Sequence, residues 1–250
     1  MRTLVIGDIH GRYEAFIDVL KKSNFDYKYD KLIVLGDVCD GDVGVREVID
    51  TLLGMKKLVY ILGNHDKCSF QWMIGEHTEY TNRIWWNQGG IHTVASYDFK
   101  KDNVPIDHKV LFSKAKLYHE EKGCLFVHGG IDPSKPIDKQ EEHTLLWDRQ
   151  LIEYAKHNKV GTWNKVFIGH TTTEIIEKGK TTPITFNNLI MMDTGAGWTG
   201  KLTIMDIDTE EYWQSEKQTP GPSKTLLKKR YFKEHNTPLT KKRETVKQNE

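Results

Sequence analysis

The feature that most constrains this chain is a junction at which a short apolar run ends, beside glycine, in Asp, Asn or His. It occurs five times, over residues 4–11, 32–40, 58–66, 125–130 and 166–170. An apolar run that stops in this way is typical of a buried strand whose carboxyl end carries a polar side chain. Because the carboxyl ends of parallel strands meet at one edge of a sheet, the sequence predicts a cluster of polar side chains there.

Helical periodicity separates the first three of these runs. Apolar residues recur at i, i+3, i+4 and i+7 from Tyr13 to Leu20, and the same spacing returns from Val45 to Leu52. This spacing places apolar side chains on one face of a helix. Together with strands over residues 2–6, 31–35 and 57–62, it predicts a β-α-β-α-β unit with right-handed crossovers.

The rest of the chain predicts a second sheet and an insertion. Residues 67–113 are helical in pattern and rich in tryptophan, which indicates a helical insert beside the site. Further predicted elements are a hairpin over 116–127, a helix over 144–157, and strands over 165–168, 188–192, 201–207 and 211–214. We expect the last three strands to contribute to the second sheet. The predicted fold class is therefore α/β, a two-sheet αββα sandwich with a helical insert.

Composition bounds the class of protein. With 250 residues, of which 38% are hydrophobic, the chain suits one sizeable domain with its own core. It has no run of about 18 apolar residues, and its first apolar run is too short for a signal peptide, so we expect no membrane span and no secretion. The three scattered cysteines, Cys39, Cys68 and Cys124, are typical of reduced thiols, and we expect a cytoplasmic protein.

Charge divides the chain into a body and a tail. Residues 217–250 hold ten basic and three acidic residues, a net charge of +7, so the overall +1 leaves −6 for residues 1–216. A Thr-Pro-Gly-Pro-Ser stretch follows Gln218 and marks the end of the compact region. We predict a catalytic domain over 1–216 and a basic, flexible tail over 217–250. Binding of nucleic acid or a membrane surface by the tail is a weaker alternative than simple solvation.

The residue types at the junctions indicate metal chemistry. Asp, His and Asn supply oxygen and nitrogen ligands, and the absence of cysteine there excludes a thiolate zinc site. Two divalent cations about 3.5–4 Å apart need a bridging carboxylate, and a hydroxide between them can attack phosphorus. We expect manganese, with iron, zinc or magnesium as alternatives. The candidate ligands are Asp8 and His10 for one ion, Asp37 as the bridge, and Asn64, His128 and His170 for the other.

In their order, these motifs resemble the phosphoprotein phosphatase branch of the calcineurin-like metallophosphoesterases, and its bacterial and bacteriophage serine/threonine phosphatases in particular. The motifs are GDIHG, GDVCDG, GNHD, HGG and GH, with WWNQGG, LLWDR and DTGAG in support. The resemblance covers residues 1–214 and implies the metal ligands named above. It further implies that His65 protonates the leaving group, that Asp40 orients His65, and that Arg149 binds phosphate together with Asn64.

The chain departs from this family at several positions. Gly41 and Leu62 stand where the family usually has arginines that clamp phosphate, Asp42 replaces a glycine, and Asp66 replaces a glutamate. Leucine before GNHD resembles the symmetrical dinucleoside tetraphosphatases of the same superfamily. Other basic side chains are candidates to replace the two arginines, and these are Arg12, Arg46 and Lys67.

The resemblance implies a phosphatase that hydrolyses phosphate monoesters, with phosphoserine and phosphothreonine as the expected substrates. The partner would then be a phosphorylated protein or a small phosphoester. A nucleotide phosphodiesterase or dinucleoside polyphosphate hydrolase is the first alternative. The second is a protein that binds phosphorylated ligands without turnover, which the complete set of ligand positions disfavours.

Overall fold

The structure is a computed structural model that describes residues 1–198 and 200–235, without the side chains of residues 79–81. Two five-stranded sheets form its centre. The first sheet has the order β10-β9-β1-β2-β3, with β1 (Thr3–Ile6), β2 (Lys31–Val34), β3 (Leu58–Tyr60), β9 (Thr203–Asp206) and β10 (Tyr212–Gln214). The second has the order β4-β5-β6-β8-β7, with β4 (Tyr118–Glu121), β5 (Cys124–Val127), β6 (Lys165–Ile168), β7 (Ile184–Phe186) and β8 (Leu189–Met191).

Helices surround the sheets. The crossovers of the first sheet are α1 (Tyr13–Lys22) and α2 (Val45–Leu53), as the periodicity predicts. The insert contains α3 (Asn64–Ile74), α4 (Glu79–Trp85), a π-helical turn (Trp86–Gly90), α5 (Ile91–Ser96) and α6 (Ile106–Ser113). The remaining helices are α7 (Glu142–Trp147), α8 (Gln150–Ala155), α9 (Thr173–Ile176) and α10 (Lys224–Glu234). None of the helices in the described part of the chain is long and apolar enough to cross a membrane.

The burial pattern confirms the αββα sandwich. Along β1, Leu4 and Ile6 belong to the apolar cluster beneath α1, α2 and the insert, whereas Val5 belongs to the layer between the sheets. Within that layer, Phe126 of β5 stacks on Phe167 of the neighbouring strand β6 with their ring centroids 5.1 Å apart. The other face of the second sheet packs on α7 and α8. Alternation along each strand thus fills three apolar layers.

Two predictions about the elements are wrong. The strands at 203–206 and 212–214 join the first sheet, where β9 pairs antiparallel with β1, and only β8 of the three last predicted strands enters the second sheet. Without β9, β1 would be an edge strand with one side unpaired, although its residues are buried. The helix predicted over 144–157 is two helices, because Asp148 adopts an extended backbone between them.

The carboxyl ends of the parallel strands lie at the same edge of their sheet, as predicted. In the first sheet β1, β2 and β3 are parallel, and in the second sheet β5, β6 and β8 are parallel. The segments that follow these strands therefore emerge on one edge of the sandwich. This edge carries the predicted site.

The tail departs in part from the flexible segment that the sequence predicts. Residues 224–234 form helix α10, and its Leu227 is buried against the insert. Residues 236–250, which hold the rest of the tail, lie outside the described residues. The division into a domain over 1–216 and a tail over 217–250 stays a prediction.

Candidate dinuclear metal centre

Six side chains meet where β1, β2, β3, β5 and β6 end, and we call them the ligand cluster. They are Asp8, His10, Asp37, Asn64, His128 and His170, the residues that the sequence nominates as metal ligands. Two groups within the cluster have donor atoms that all lie within 4.8 Å of one another. One group is Asp8, His10 and Asp37, and the other is Asp37, His128 and His170. Asp37 is common to both groups, as a bridging carboxylate must be.

Hydrogen bonds to backbone carbonyls orient the histidines. His10 Nδ1 donates to the carbonyl of Cys39 at 3.0 Å, and His128 Nδ1 donates to the carbonyl of Leu35 at 2.8 Å. Each ring therefore presents Nε2 to the cluster, which is the usual arrangement of metal-binding histidines. His170 Nε2 is buried and has no hydrogen-bond partner among the described residues. A buried polar atom without a partner costs free energy, which a bound cation would offset.

Burial and crowding set the charge of the cluster. Burial, with the charges of Asp193 and Asp37, raises the pKa of Asp8 well above its usual value. Burial, and then the charge of Asp37, also raises the pKa of Asp193 to about 6. Burial lowers the pKa of His10 to about 4. Asp37 instead raises the pKa of His128, against the effect of burial. Crowded carboxylates beside imidazole nitrogens suit divalent cations, so this donor set fits the dinuclear centre.

Beside the cluster, His65 Nδ1 lies 2.6 Å from Asp40 Oδ2, and we call these two residues the acid pair. Asp40 is fully buried. Three more side chains donate to its carboxylate, namely Trp85 Nε1 at 2.7 Å, Thr93 Oγ1 at 2.6 Å and Ser69 Oγ at 3.2 Å. Burial disfavours the charged form of His65, but the carboxylates of Asp37 and Asp40 outweigh it and raise the pKa of His65 to about 9. The ring is then protonated at neutral pH, as a proton donor must be.

The backbone around the cluster is strained. His10, Asp37, Asp40 and His170 all have positive φ, between 49° and 70°, a region that non-glycine residues rarely adopt. Such conformations persist where surrounding contacts hold them, and they concentrate at functional sites. Glycine is required at Gly63, since any side chain there would overlap the Asp37 carboxylate. The GDxxD and GNHD motifs therefore encode a close approach of two strand ends.

The sequence does not single out the donors that hold Asp40. Trp85 and Thr93 lie 45 and 53 residues further along the chain, in the insert. The sequence feature that accompanies these donors is the motif WWNQGG, which begins at Trp85. Its last five residues form the π-helical turn that leads from Trp85 towards Thr93. At Gly90 a side chain would collide with the Trp85 ring, so glycine lets the turn fold over the indole. Trp85 is thus both a core residue and a hydrogen-bond donor to the acid pair.

Asp66 has its own set of hydrogen-bond partners. Its carboxylate accepts hydrogen bonds from the Tyr60 hydroxyl at 2.9 Å, the Gly63 amide at 3.1 Å and the Cys39 amide at 3.0 Å. It therefore ties the GNHD turn, which carries His65, to the loop that carries Asp37 and Asp40. Burial and the charge of Asp37 raise the pKa of Asp66 to about 6.

Arg149 lies between α7 and α8, near His170. It is exposed and makes no hydrogen bond or ion pair with the described residues. The pKa of His170 is lowered to about 3, first by burial and by His128, and also by the charge of Arg149. Trp147 meets the His170 ring edge-on, with centroids 5.8 Å apart. An unpaired guanidinium beside a metal-ligand candidate is suited to bind an anion.

Two of the candidates for the missing arginines already have partners. Arg12 is buried and forms an ion pair with Asp42 at 2.7 Å, which also accounts for the charge of Asp42. Lys67 forms an ion pair with Glu142. Gly41 has φ +76°, and a Cβ there would lie 2.8 Å from the Cβ of His10, so this loop does not accommodate an arginine. Arg46 is exposed on α2.

Known proteins share this sequence pattern and fold. A sequence profile of the calcineurin-like phosphoesterases matches residues 1–202. The chain is 27% identical over 234 residues to the asymmetrical bis(5'-nucleosyl)-tetraphosphatase PrpE of Bacillus cereus, covering 81% of this chain and 89% of that protein. The crystal structure of a proposed diadenosine tetraphosphatase superposes with a TM-score of 0.65 at 17% identity, covering 89% and 94% of the two chains. A serine/threonine phosphatase of Saccharomyces cerevisiae superposes with a TM-score of 0.56 at 16% identity, covering 89% and 82%.

The fold and its ordered motifs define a metallophosphoesterase, a hydrolase that works with divalent cations. The chain belongs to the calcineurin-like phosphoesterase family, as the resemblance of its motifs predicts. The two structural similarities are below 25% identity, so they support only the assignment of the fold. The role of each site residue stays a prediction.

Proposed function

We propose that this protein hydrolyses phosphate monoesters with poor leaving groups, such as phosphoserine and phosphothreonine. The acid pair carries the proposal. An alkoxide leaving from serine needs a proton as its P–O bond breaks, and His65 is half-buried, lies next to the ligand cluster and has its Nδ1 2.6 Å from the Asp40 carboxylate. Asp40, fully buried and held by four donors, fixes the ring in one orientation.

The roles of the residues follow from their positions. Asp8, His10 and Asp37 would hold one divalent cation, and Asp37, Asn64, His128 and His170 the other. When bound, such cations supply the nucleophile and neutralise charge on the phosphoryl group, and manganese is our candidate metal. Arg149 would bind a phosphoryl oxygen, and Asn64 would assist. His65 would donate the Nε2 proton to the leaving oxygen and keep the Nδ1 proton on its hydrogen bond to Asp40.

A dinucleoside polyphosphate is the second candidate substrate. Two observations favour it: the tetraphosphatases named above match most of the chain, and Gly41 and Leu62 leave the phosphate clamp with one arginine. A nucleotide leaving group is more acidic than serine and needs protonation less. The two candidates therefore differ in how much they depend on His65.

A substrate panel separates the candidates. The metal-depleted protein would be reloaded with Mn, Fe, Zn or Mg and assayed on a phosphoserine peptide, p-nitrophenyl phosphate, its bis ester and diadenosine tetraphosphate. The proposal expects turnover of the peptide within about tenfold of the p-nitrophenyl ester, because proton donation offsets the poorer leaving group. Turnover of diadenosine tetraphosphate without peptide hydrolysis would establish the second candidate instead. Catalysis of none of them by a fully loaded protein would contradict both.

A further inference from the structure

The C-terminal segment of the described chain runs along the site. We call residues 219–234 the C-terminal strap. The carbonyl of Thr219 accepts a hydrogen bond from Arg12 at 2.7 Å, and the carbonyl of Pro222 lies 2.8 Å from His92 Nε2. Between these contacts, a Cβ on Gly221 would lie 2.6 Å from Asp42 Oδ1, so the strap passes directly against Asp42. The strap thus contacts the loop that follows Asp40 and the insert that holds Asp40.

Arg12 joins the strap to two loops of the site. Its guanidinium binds the Asp42 carboxylate at 2.7 Å, and its Nε donates to the carbonyl of Ala196 at 3.1 Å. The Arg12 side chain is 5% exposed, so the ion pair is poorly screened by solvent. Next to Ala196, Gly197 packs so closely on the His10 ring that a side chain there would overlap it. One buried guanidinium therefore links the strap, the Asp42 loop and the loop over His10.

Helix α10 continues the strap onto the insert. Leu227 is 5% exposed, and Tyr231 meets the Trp86 ring edge-on with centroids 4.7 Å apart. Lys224 and Lys228 donate to the backbone carbonyl and side-chain oxygen of Asn87 at 2.7 and 2.6 Å. These contacts hold α10 against residues 86–92, which lie between Trp85 and Thr93. Trp85 and Thr93 are the two insert residues that donate to Asp40.

We propose that the C-terminal strap is a positioning element for the acid pair. It supports Asp40 from two sides. On one side it contacts Arg12, which binds Asp42 of the Asp40 loop, and on the other it contacts His92 and Asn87 of the insert. Asp40 has a φ of 70°, which is strained for a non-glycine residue, and such a conformation needs tertiary contacts to persist. None of the strap residues touches the ligand cluster in the contacts described above, so we assign them no catalytic role. The inference rests on the proposed function of His65 as proton donor.

Two truncations test the strap. One ends the chain at Gln218 and removes the strap, whereas the control ends at His235 and keeps it. At full metal occupancy, the chain ending at Gln218 should hydrolyse a phosphoserine peptide at least about tenfold more slowly, since a misplaced catalytic group costs rate. Its hydrolysis of p-nitrophenyl phosphate should fall less than about threefold, because this leaving group needs no proton. The control should match the full chain on both substrates.

A readout without turnover accompanies the kinetics. In the metal-free protein, hydrogen exchange of the amides of Asp40 and Asp42 should accelerate when the strap is removed, since Asp40 N–H donates to Thr93 and Asp42 N–H to Asp40. In Gly221→Ala the new Cβ would overlap the Asp42 carboxylate. This variant should reproduce the loss of peptide hydrolysis and the faster exchange more weakly, and it serves as the test if the truncated chain does not fold. Gly54→Ala, where the nearest contact of the new Cβ is 3.3 Å, is its matched control.

His65→Asn separates the strap from the proposed function. If His65→Asn is selective for the peptide but strap removal and Gly221→Ala change neither the selectivity nor the exchange, the strap inference is wrong. If His65→Asn itself is not selective, the proposed function fails. The inference that the strap positions Asp40 and Asp42 then stands or falls on the exchange data alone.

Discussion

The two sides of the site differ in how far the protein itself completes them. On the first-sheet side, Asp40 accepts hydrogen bonds from four side chains and Asp66 from three groups, so the acid pair is fixed before any ligand binds. On the second-sheet side, His170 Nε2 has no hydrogen-bond partner and Arg149 makes no ion pair with the described residues.

This difference separates two kinds of chemistry. A proton donor works best in one orientation, and the protein can build that orientation from its own hydrogen bonds. Groups that receive cations and phosphate must instead keep free donor and acceptor atoms, because bound ligands will occupy them. On the first-sheet side the acid pair is therefore organised for orientation, beside the cation ligands Asp8, His10, Asp37 and Asn64, whereas His170 and Arg149 on the second-sheet side keep free atoms for binding.

Asp37 is common to both sides, and its substitution should have the largest effect. Asp37→Asn removes one charge and one ligand oxygen from a residue that both donor groups share. We expect activity on every substrate to fall at least about 10²-fold, together with a loss of bound metal measured by elemental analysis. Asp30→Asn, the same change at another buried carboxylate, is the control. Near-normal turnover with two metals bound would show that Asp37 is not the bridging ligand.

His65→Asn should abolish proton donation by the acid pair and leave metal binding intact. Hydrolysis of a phosphoserine peptide should slow by about 10²-fold or more, while p-nitrophenyl phosphate loses much less and both metals stay bound, because only the serine leaving group requires the proton. Steady-state kinetics with metal analysis measures this. His119→Asn, on strand β4 away from the site, is the control. Equal losses on both substrates, with chemistry limiting the rate, would show that His65 is not the acid.

The sequence predicts the parts of this comparison that depend on local pattern. An apolar strand that stops at Gly-Asp or Gly-His places its polar residue at a sheet edge, so Asp8, Asp37 and His128 come together without knowledge of distant contacts. The donors to Asp40 are not local, since they depend on how the insert folds back. The same reason explains β9 and the strap: an apolar strand suits either sheet, and a short, mostly polar segment with a few apolar residues does not reveal which surface it covers.

Arg149→Ala should weaken the second-sheet side without disturbing the first. We expect KM for monoesters and the inhibition constant of free phosphate to rise about tenfold, because one charge-assisted contact to the anion is lost. The melting temperature should not change, since Arg149 has no partner among the described residues. Arg46→Ala, another exposed arginine, is the control. If neither constant moves, Arg149 does not bind phosphate.

The last expected effect is on stability rather than on activity, and it is a pH dependence. The pKa of His65 is raised from 6.5 to about 9 in the folded protein, so its contribution is fully present below pH 6.5 and is lost as pH rises through 9. At most this is about 3 kcal/mol, and it should lower the melting temperature of EDTA-treated protein by several degrees between pH 6.5 and 9.5. Thermal melts of His65→Asn should show a shallower slope. The same slope in both proteins would contradict the raised pKa.

The most direct test of the contrast between the two sides is a pair of crystal structures, one metal-free and one with manganese located by anomalous scattering. We predict two manganese peaks that share Asp37, one contacted by Asp8 and His10 and the other by Asn64, His128 and His170. The acid pair should keep its 2.6 Å hydrogen bond in both structures, while the side chains of His170 and Arg149 adjust. A single peak, a peak away from Asp37, or an acid pair that forms only with metal would contradict this account.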